Sequence, residues 1–150
     1  MTDTRLLKSG VEDYVRNWLQ QKFGKQFRKE GLLLTGVQGE PRTHEFDAVS
    51  EDNRIVCGVR TSSWKTSGGK RGAGKVAGAY MEIYFLGHVA GQEKYLVLTD
   101  QEFYERMKSE VAGKLTIGIG LLHCELPVEL ENGVADVREK SRQEQGSGAN

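Results

Sequence analysis

The chain has 150 residues, about one domain's worth, and its 37% hydrophobic and 28% charged content excludes both a disordered segment and a membrane-embedded one. Lys plus Arg and Asp plus Glu balance at 21 each, so the formal net charge is zero and any grip on a polyanion must come from local segregation of charge. The two cysteines, Cys57 and Cys124, sit in apolar stretches without Cys-x-x-Cys spacing. That excludes a disulfide framework or a structural zinc site and predicts buried, reduced thiols.

Residues 7–23 place Leu7, Val11, Tyr14, Val15, Trp18 and Leu19 at helical spacing, and Gly24 follows as a stop. Three short β signals come next, at 26–35, 43–50 and 54–61, separated by turn residues around Gly36, Gly39 and Pro41 and by Glu51-Asp52-Asn53. They predict an antiparallel meander. Residues 62–74 are too rich in Ser, Thr, Gly and basic side chains for an element interior and read as a mobile loop. A second helix is expected over 73–87, with Val76, Tyr80 and Ile83 on its buried stripe, and Gly78 as a place of close packing on a sheet. Residues 94–99 read as a buried strand, and Thr99-Asp100-Gln101-Glu102 offers a capping-box start for a helix to about 112. A last β-rich run covers 115–123, and apolar residues thin out beyond Glu131. The expectation is one domain over 1–131 and a polar, disordered tail over 132–150. The amino terminus lacks the apolar stretch of a signal peptide and no apolar run approaches the roughly 20 residues of a membrane span, so a cytoplasmic protein without membrane contact is expected.

The chemistry-bearing stretch is Phe46-Asp47-Ala48-Val49-Ser50 followed by Ile55-Val56-Cys57-Gly58-Val59-Arg60-Thr61-Ser62-Ser63. A lone Asp on one strand, a charged position about a dozen residues later on the next and a Thr/Ser-rich exit, within the order αβββαβ, resemble the PD-(D/E)xK, or restriction-endonuclease-like, nuclease superfamily. The resemblance spans about residues 5–110. It implies an α/β fold with a mixed central sheet flanked by helices, and a magnesium- or manganese-dependent endonuclease acting on DNA, possible as a homodimer. Hydrolysis of a phosphodiester calls for a hard cation held by carboxylates and a further positive charge for the transition state.

Gly58-Val59-Arg60 stands where the family has Glu-x-Lys. By strand alternation Gly58 and Arg60 share a face, but Gly58 brings no carboxylate and Arg60 cannot act as a base. Arg60 keeps the charge to clamp a phosphate. The resemblance implies Asp47 as a metal ligand and Glu82 as a second acid moved to the following helix, on the flank Lys75, Ala79, Glu82, Leu86. Glu12, on the first helix, matches an accessory acid of the family. Glu45, two residues before Asp47, is expected to share its face. Gly58 itself is open to other readings, as a bulge or as a close approach of another backbone.

Arg60, Lys65, Lys70, Arg71 and Lys75 form a basic run without an acid, and Trp64 adds a flat ring; together they are the expected nucleic-acid contacts. Residues 69–75 also fit a P-loop until Val76 replaces the hydroxyl residue that would ligate magnesium, which leaves nucleotide binding through Lys75 as an alternative. A catalytically inactive nucleic-acid-binding or assembly subunit is the other alternative. His44, His88 and His123 are scattered and suggest no metal site.

Overall fold

The computed structural model describes residues 4–65 and 73–131, with side chains from Gly10 onward. Lys70, Arg71, most of the expected P-loop and the expected tail lie outside the described residues. The elements are α1 (Thr4–Phe23), β1 (Phe27–Leu33), β2 (Thr43–Ser50), β3 (Ile55–Arg60), α2 (Ala73–Leu86), β4 (Glu93–Leu98), α3 (Gln101–Glu110) and β5 (Ile119–His123). Two compact units are distinguished, Val15–Glu125 and a second made of Met1–Tyr14 with Leu126–Asn150. In the second, Val11 and Leu126 are buried, and Val128 is exposed.

Val15–Glu125 contains the whole sheet, a mixed one in the order β1-β2-β3-β4-β5. The meander β1–β3 is antiparallel; β3–β4 and β4–β5 are parallel, their crossovers made by α2 and α3. The chain is thus α/β, a five-stranded sheet flanked by helices. On one face Phe46, Val49, Val56, Leu96 and Leu98 pack with Ala79 and Leu86 of α2 and Phe103 and Met107 of α3. Along β3 and β4 the alternate residues point the other way, where Phe23 of α1 stacks on Tyr95 with ring centroids 5.6 Å apart. Among the described residues no helix is long and apolar enough to cross a membrane.

Local chemistry explains the element ends. Gly24, at φ 71°, ends α1, its N–H returning to Gln20 O at 2.7 Å. The N-cap of α3 is Asp100, whose side chain accepts the Phe103 N–H at 2.9 Å; the expected capping box is displaced by one residue, because the aspartate outcompetes the Thr99 hydroxyl. The same carboxylate accepts Trp64 N–H at 3.0 Å and ties the exit of β3 to α3. The final strand starts at Ile119, later than the β-rich run, because Gly113 and Gly118 both take positive φ and turn the chain before it. Both cysteines are free and buried; burial raises both thiols, that of Cys124 to about 12.

Candidate active site at the β3–α2 crossing

The site begins with a bulge. Arg28 faces Val49 and Glu30 faces Phe46, so Asp47 and Ala48 of β2 lie opposite the single Lys29 of β1. The bulge re-aims Asp47. Its carbonyl is met by Arg16 Nη1 of α1 at 2.8 Å, and its carboxylate reaches β3, where Oδ2 accepts the Val59 N–H at 2.8 Å. A side chain thus takes a ladder hydrogen bond just past the β2–β3 pair Ala48–Cys57.

The bulge also breaks the alternation from which Glu45 was expected beside Asp47. Glu45 instead points outward, 65% exposed and 3.5 Å from Lys29 Nζ. His44 and Phe46 turn towards α2: the His44 ring stacks on Phe85 at 3.9 Å and meets Phe46 edge-on at 4.8 Å.

Gly58 marks a close approach of a side chain rather than of a backbone. A Cβ at Gly58 would lie 2.5 Å from Glu82 Cγ and 2.8 Å from Glu82 Oε1. The α2 carboxylate therefore fills the volume that a side chain on the strand would need. The converse holds one helical turn earlier, where a Cβ at Gly78 would lie 2.6 Å from Arg60 Nη2. A strand glycine admits the helix acid and a helix glycine admits the strand guanidinium. Each glycine costs roughly 0.5–1 kcal/mol of element stability relative to alanine, and each makes room for a charge at the layer boundary.

The electrostatics follow from this crossing. Burial raises the pKa of Glu82; His44 opposes that rise, the negative charge of Asp47 adds to it, and Arg60 opposes it. His44 Nε2 stands 3.5 Å from Glu82 Oε2. Among the described residues, two buried side-chain nitrogens lack a hydrogen-bond partner, and both belong here: Arg60 Nε and His44 Nε2. An unmatched buried polar atom costs about 1–3 kcal/mol, so two in one place need an explanation.

Asp47, Arg60 and Glu82 are thus brought together, as Glu82's position over Gly58 and its electrostatic partners indicate. Glu12 is 7% exposed on the part of α1 that belongs to the other compact unit. Trp64 packs against Phe103, ring centroids 5.9 Å apart, with the Arg106 guanidinium 5.3 Å from its ring centre. Lys65 is exposed, and Lys75 Nζ donates to Ser63 O across the base of the loop. The face of α2 against the sheet is Ala79 and Leu86, both fully buried, with Gly78 and Glu82; Val76, Tyr80 and Ile83 are only partly buried. Val76, Tyr80 and Ile83 pack against the core beside them, as expected, and the Tyr80 hydroxyl donates to Glu110 Oε1 of α3 at 3.0 Å.

Comparison with family models, curated proteins and solved structures returns no match.

Two residues escaped the sequence reading. His44 was set aside for want of a neighbouring ligand, and its partner Glu82 lies two elements away. Arg16 gave no signal, because the carbonyl it meets becomes available only through the bulge.

Among the described residues no group of three or more His, Cys, Asp or Glu is arranged to hold a metal ion. Two carboxylates nevertheless suit magnesium, which takes one or two from a protein and completes its shell with water and substrate phosphate. Glu82, ionising reluctantly beside Asp47, would gain from such a cation.

Proposed function

We propose that the chain is a metal-dependent phosphodiesterase acting on DNA, an endonuclease of the restriction-endonuclease-like, PD-(D/E)xK kind whose second acid comes from α2. The observation that carries this reading is the Gly58 notch filled by Glu82. The strand position that would bear the acid is empty of side chain, and a carboxylate from the helix occupies its space next to the strand that holds Asp47. The element order αβββαβ and the mixed sheet are what the resemblance calls for.

Asp47 and Glu82 would hold Mg2+ or Mn2+. A cation bound there supplies charge to polarise the phosphate and a hydroxide at neutral pH. The protein's own groups do the rest. Asp47, fixed by the Val59 N–H, presents its remaining oxygen. Arg60 would donate through its guanidinium to a non-bridging phosphate oxygen and stabilise charge as it develops; it holds its proton throughout. Lys65, Lys70 and Arg71 would follow the backbone without reading sequence, and Lys75 would brace the loop through Ser63. Trp64 would order that segment from its seat against Phe103. A homodimer and a cytoplasmic setting belong to the same reading.

Nicking of supercoiled plasmid in Mg2+ or Mn2+ tests it, with Asp47→Ala and Glu82→Gln as controls. Metal-dependent cutting that either substitution abolishes is expected; cutting that survives both would sink the site. A second reading, an inactive DNA-binding subunit, draws on the partners that Glu82 already has in the His44 ring and the Arg60 guanidinium. DNA binding that weakens steeply with salt, without cutting in any metal, would favour it. The nucleotide-binding alternative gains little from Lys75, whose ammonium is engaged by the Ser63 carbonyl.

A further inference from the structure

The metal reading leaves His44 without a task. This histidine sits on β2 beside the helix acid, and its ring is held from two sides, parallel to Phe85 within 15° and nearly perpendicular to Phe46 at 77°. A ring so clamped cannot turn without moving core side chains. Its Nε2 is buried, lacks a hydrogen-bond partner and faces Glu82 Oε2 across 3.5 Å. The other oxygen, Oε1, is the one over Gly58, adjoining Val59, whose N–H holds Asp47. The two oxygens of one carboxylate are therefore sorted: one towards the imidazole, one towards the strand.

Such sorting matters for an acid that arrives on a helix. Three side-chain torsions separate its carboxylate from the backbone, and a binding geometry is only as good as the groups that hold it. A nitrogen opposite a carboxylate oxygen serves as a donor only when it carries the proton, which selects the Nε2–H form.

We infer that His44 is the positioning residue for Glu82, its Nε2–H taking Oε2 so that Oε1 is the oxygen presented beside Asp47. The inference rests on the metal-binding reading above and gives that site a one-oxygen mode for the helix acid. Groups that orient a ligand in this way are worth about 10–100-fold in metal affinity.

The test measures Mn2+ affinity in the intact chain for wild type, Glu82→Gln, His44→Phe and His44→Gln, with thermal midpoints alongside. His44→Phe keeps an aromatic ring between Phe46 and Phe85 and deletes the donor; His44→Gln restores an N–H near the place of Nε2. Expected are a loss of about tenfold or more for His44→Phe at an unchanged midpoint, and recovery to within about threefold of wild type for His44→Gln. Wild-type affinity in His44→Phe, or no recovery in His44→Gln, overturns the positioning role while Glu82→Gln still weakens binding. If Glu82→Gln binds Mn2+ as wild type does, or wild type binds none, the metal reading itself falls and takes this inference with it. A second readout needs no metal: imidazole nitrogen NMR of the metal-free protein is expected to place the His44 proton on Nε2, and a proton on Nδ1 alone overturns the assignment.

Discussion

Two polar clusters lie at opposite ends of β3, and they are built on opposite terms. At the β2–β3 turn, Ser50 accepts the Ile55 N–H at 2.9 Å and donates to Asp52 at 2.7 Å; Asp52 accepts the Arg54 N–H and pairs with Lys25 at 2.6 Å. Arg28 closes the group on Ser50 O and Asn53. Donors meet acceptors there, and the carboxyl of Asp52 is held well below the usual range, first by Lys25 and then by Ser50. At the other end, burial pushes Glu82 up, the buried Arg60 Nε has no acceptor, and His44 Nε2 stands as far as 3.5 Å from the Glu82 carboxylate. A cluster that is complete in itself holds a turn together. One that keeps a donor waiting and a carboxyl reluctant to ionise is suited to a ligand that supplies what is lacking.

The sharpest way to break this comparison is to neutralise one acid in each cluster. Glu82→Gln is expected to lower plasmid cutting by about 10³-fold or more, the scale of losing a group that acts on the reacting centre, without lowering the thermal midpoint. Asp52→Asn should do the reverse, leaving cutting intact and reducing the midpoint. Equal effects of the two on cutting would end the distinction.

Next in size is the notch. Gly58→Val drives a Cβ to within 2.5 Å of Glu82 and should cost about 1–3 kcal/mol in denaturant unfolding, as overpacking does. Glu82→Ala in the same chain should return much of that loss, since contacting residues couple by about 0.5–3 kcal/mol. Additive costs would mean that the two do not share the space.

A smaller loss is expected at a cap that belongs to neither cluster. Asp100→Ala removes the N-cap of α3 and the tether of Trp64, and about 1 kcal/mol of stability should go with the cap. Cutting should change little if the tether merely orders the segment.

The gentlest test is pH, where the clusters should move in opposite senses. The raised Glu82 favours its neutral form in the fold, so its effect on the metal-free protein is a stability that declines as pH rises from the ordinary carboxylate value through its folded one. Over the same interval Mn2+ affinity should climb as the ligand ionises. The lowered Asp52 contributes stability that is complete above the ordinary carboxylate value and is lost as pH falls through its depressed folded one. Urea midpoints measured from neutral to acid pH in wild type, Glu82→Gln and Asp52→Asn separate the two; opposite signs are the expected result.

Much of the fold was legible because the elements depend on local pattern. Leu19 and Val15 on α1, the apolar run of β4 and the glycine after α1 announce themselves in sequence. The bulge did not: nothing in Thr43-His44-Glu45-Phe46-Asp47 departs from plain alternation, and the irregularity exists only against β1. Asp47, Arg60 and Glu82 could be nominated because the family that the sequence resembles assigns a charged group to the strand, the next strand and the following helix on which they stand. His44 could not, because its meaning comes from Phe85 and Glu82 across the layer. Gly58 showed that something was missing, and only the packing shows what fills it.

The crossed glycines also key the helix to the sheet. Sliding α2 along β3 by a turn would withdraw Gly78 from Arg60 and Glu82 from Gly58 together, leaving the strand glycine facing Gly78 in one direction and Leu86 in the other, with no carboxylate in either. The two charges interlock like the wards of a key, so the helix has one seat. Any opening of that layer, even one that spares the rest of the chain, dismantles the pair of acids before the meander notices, and the protein would fall silent while still largely folded.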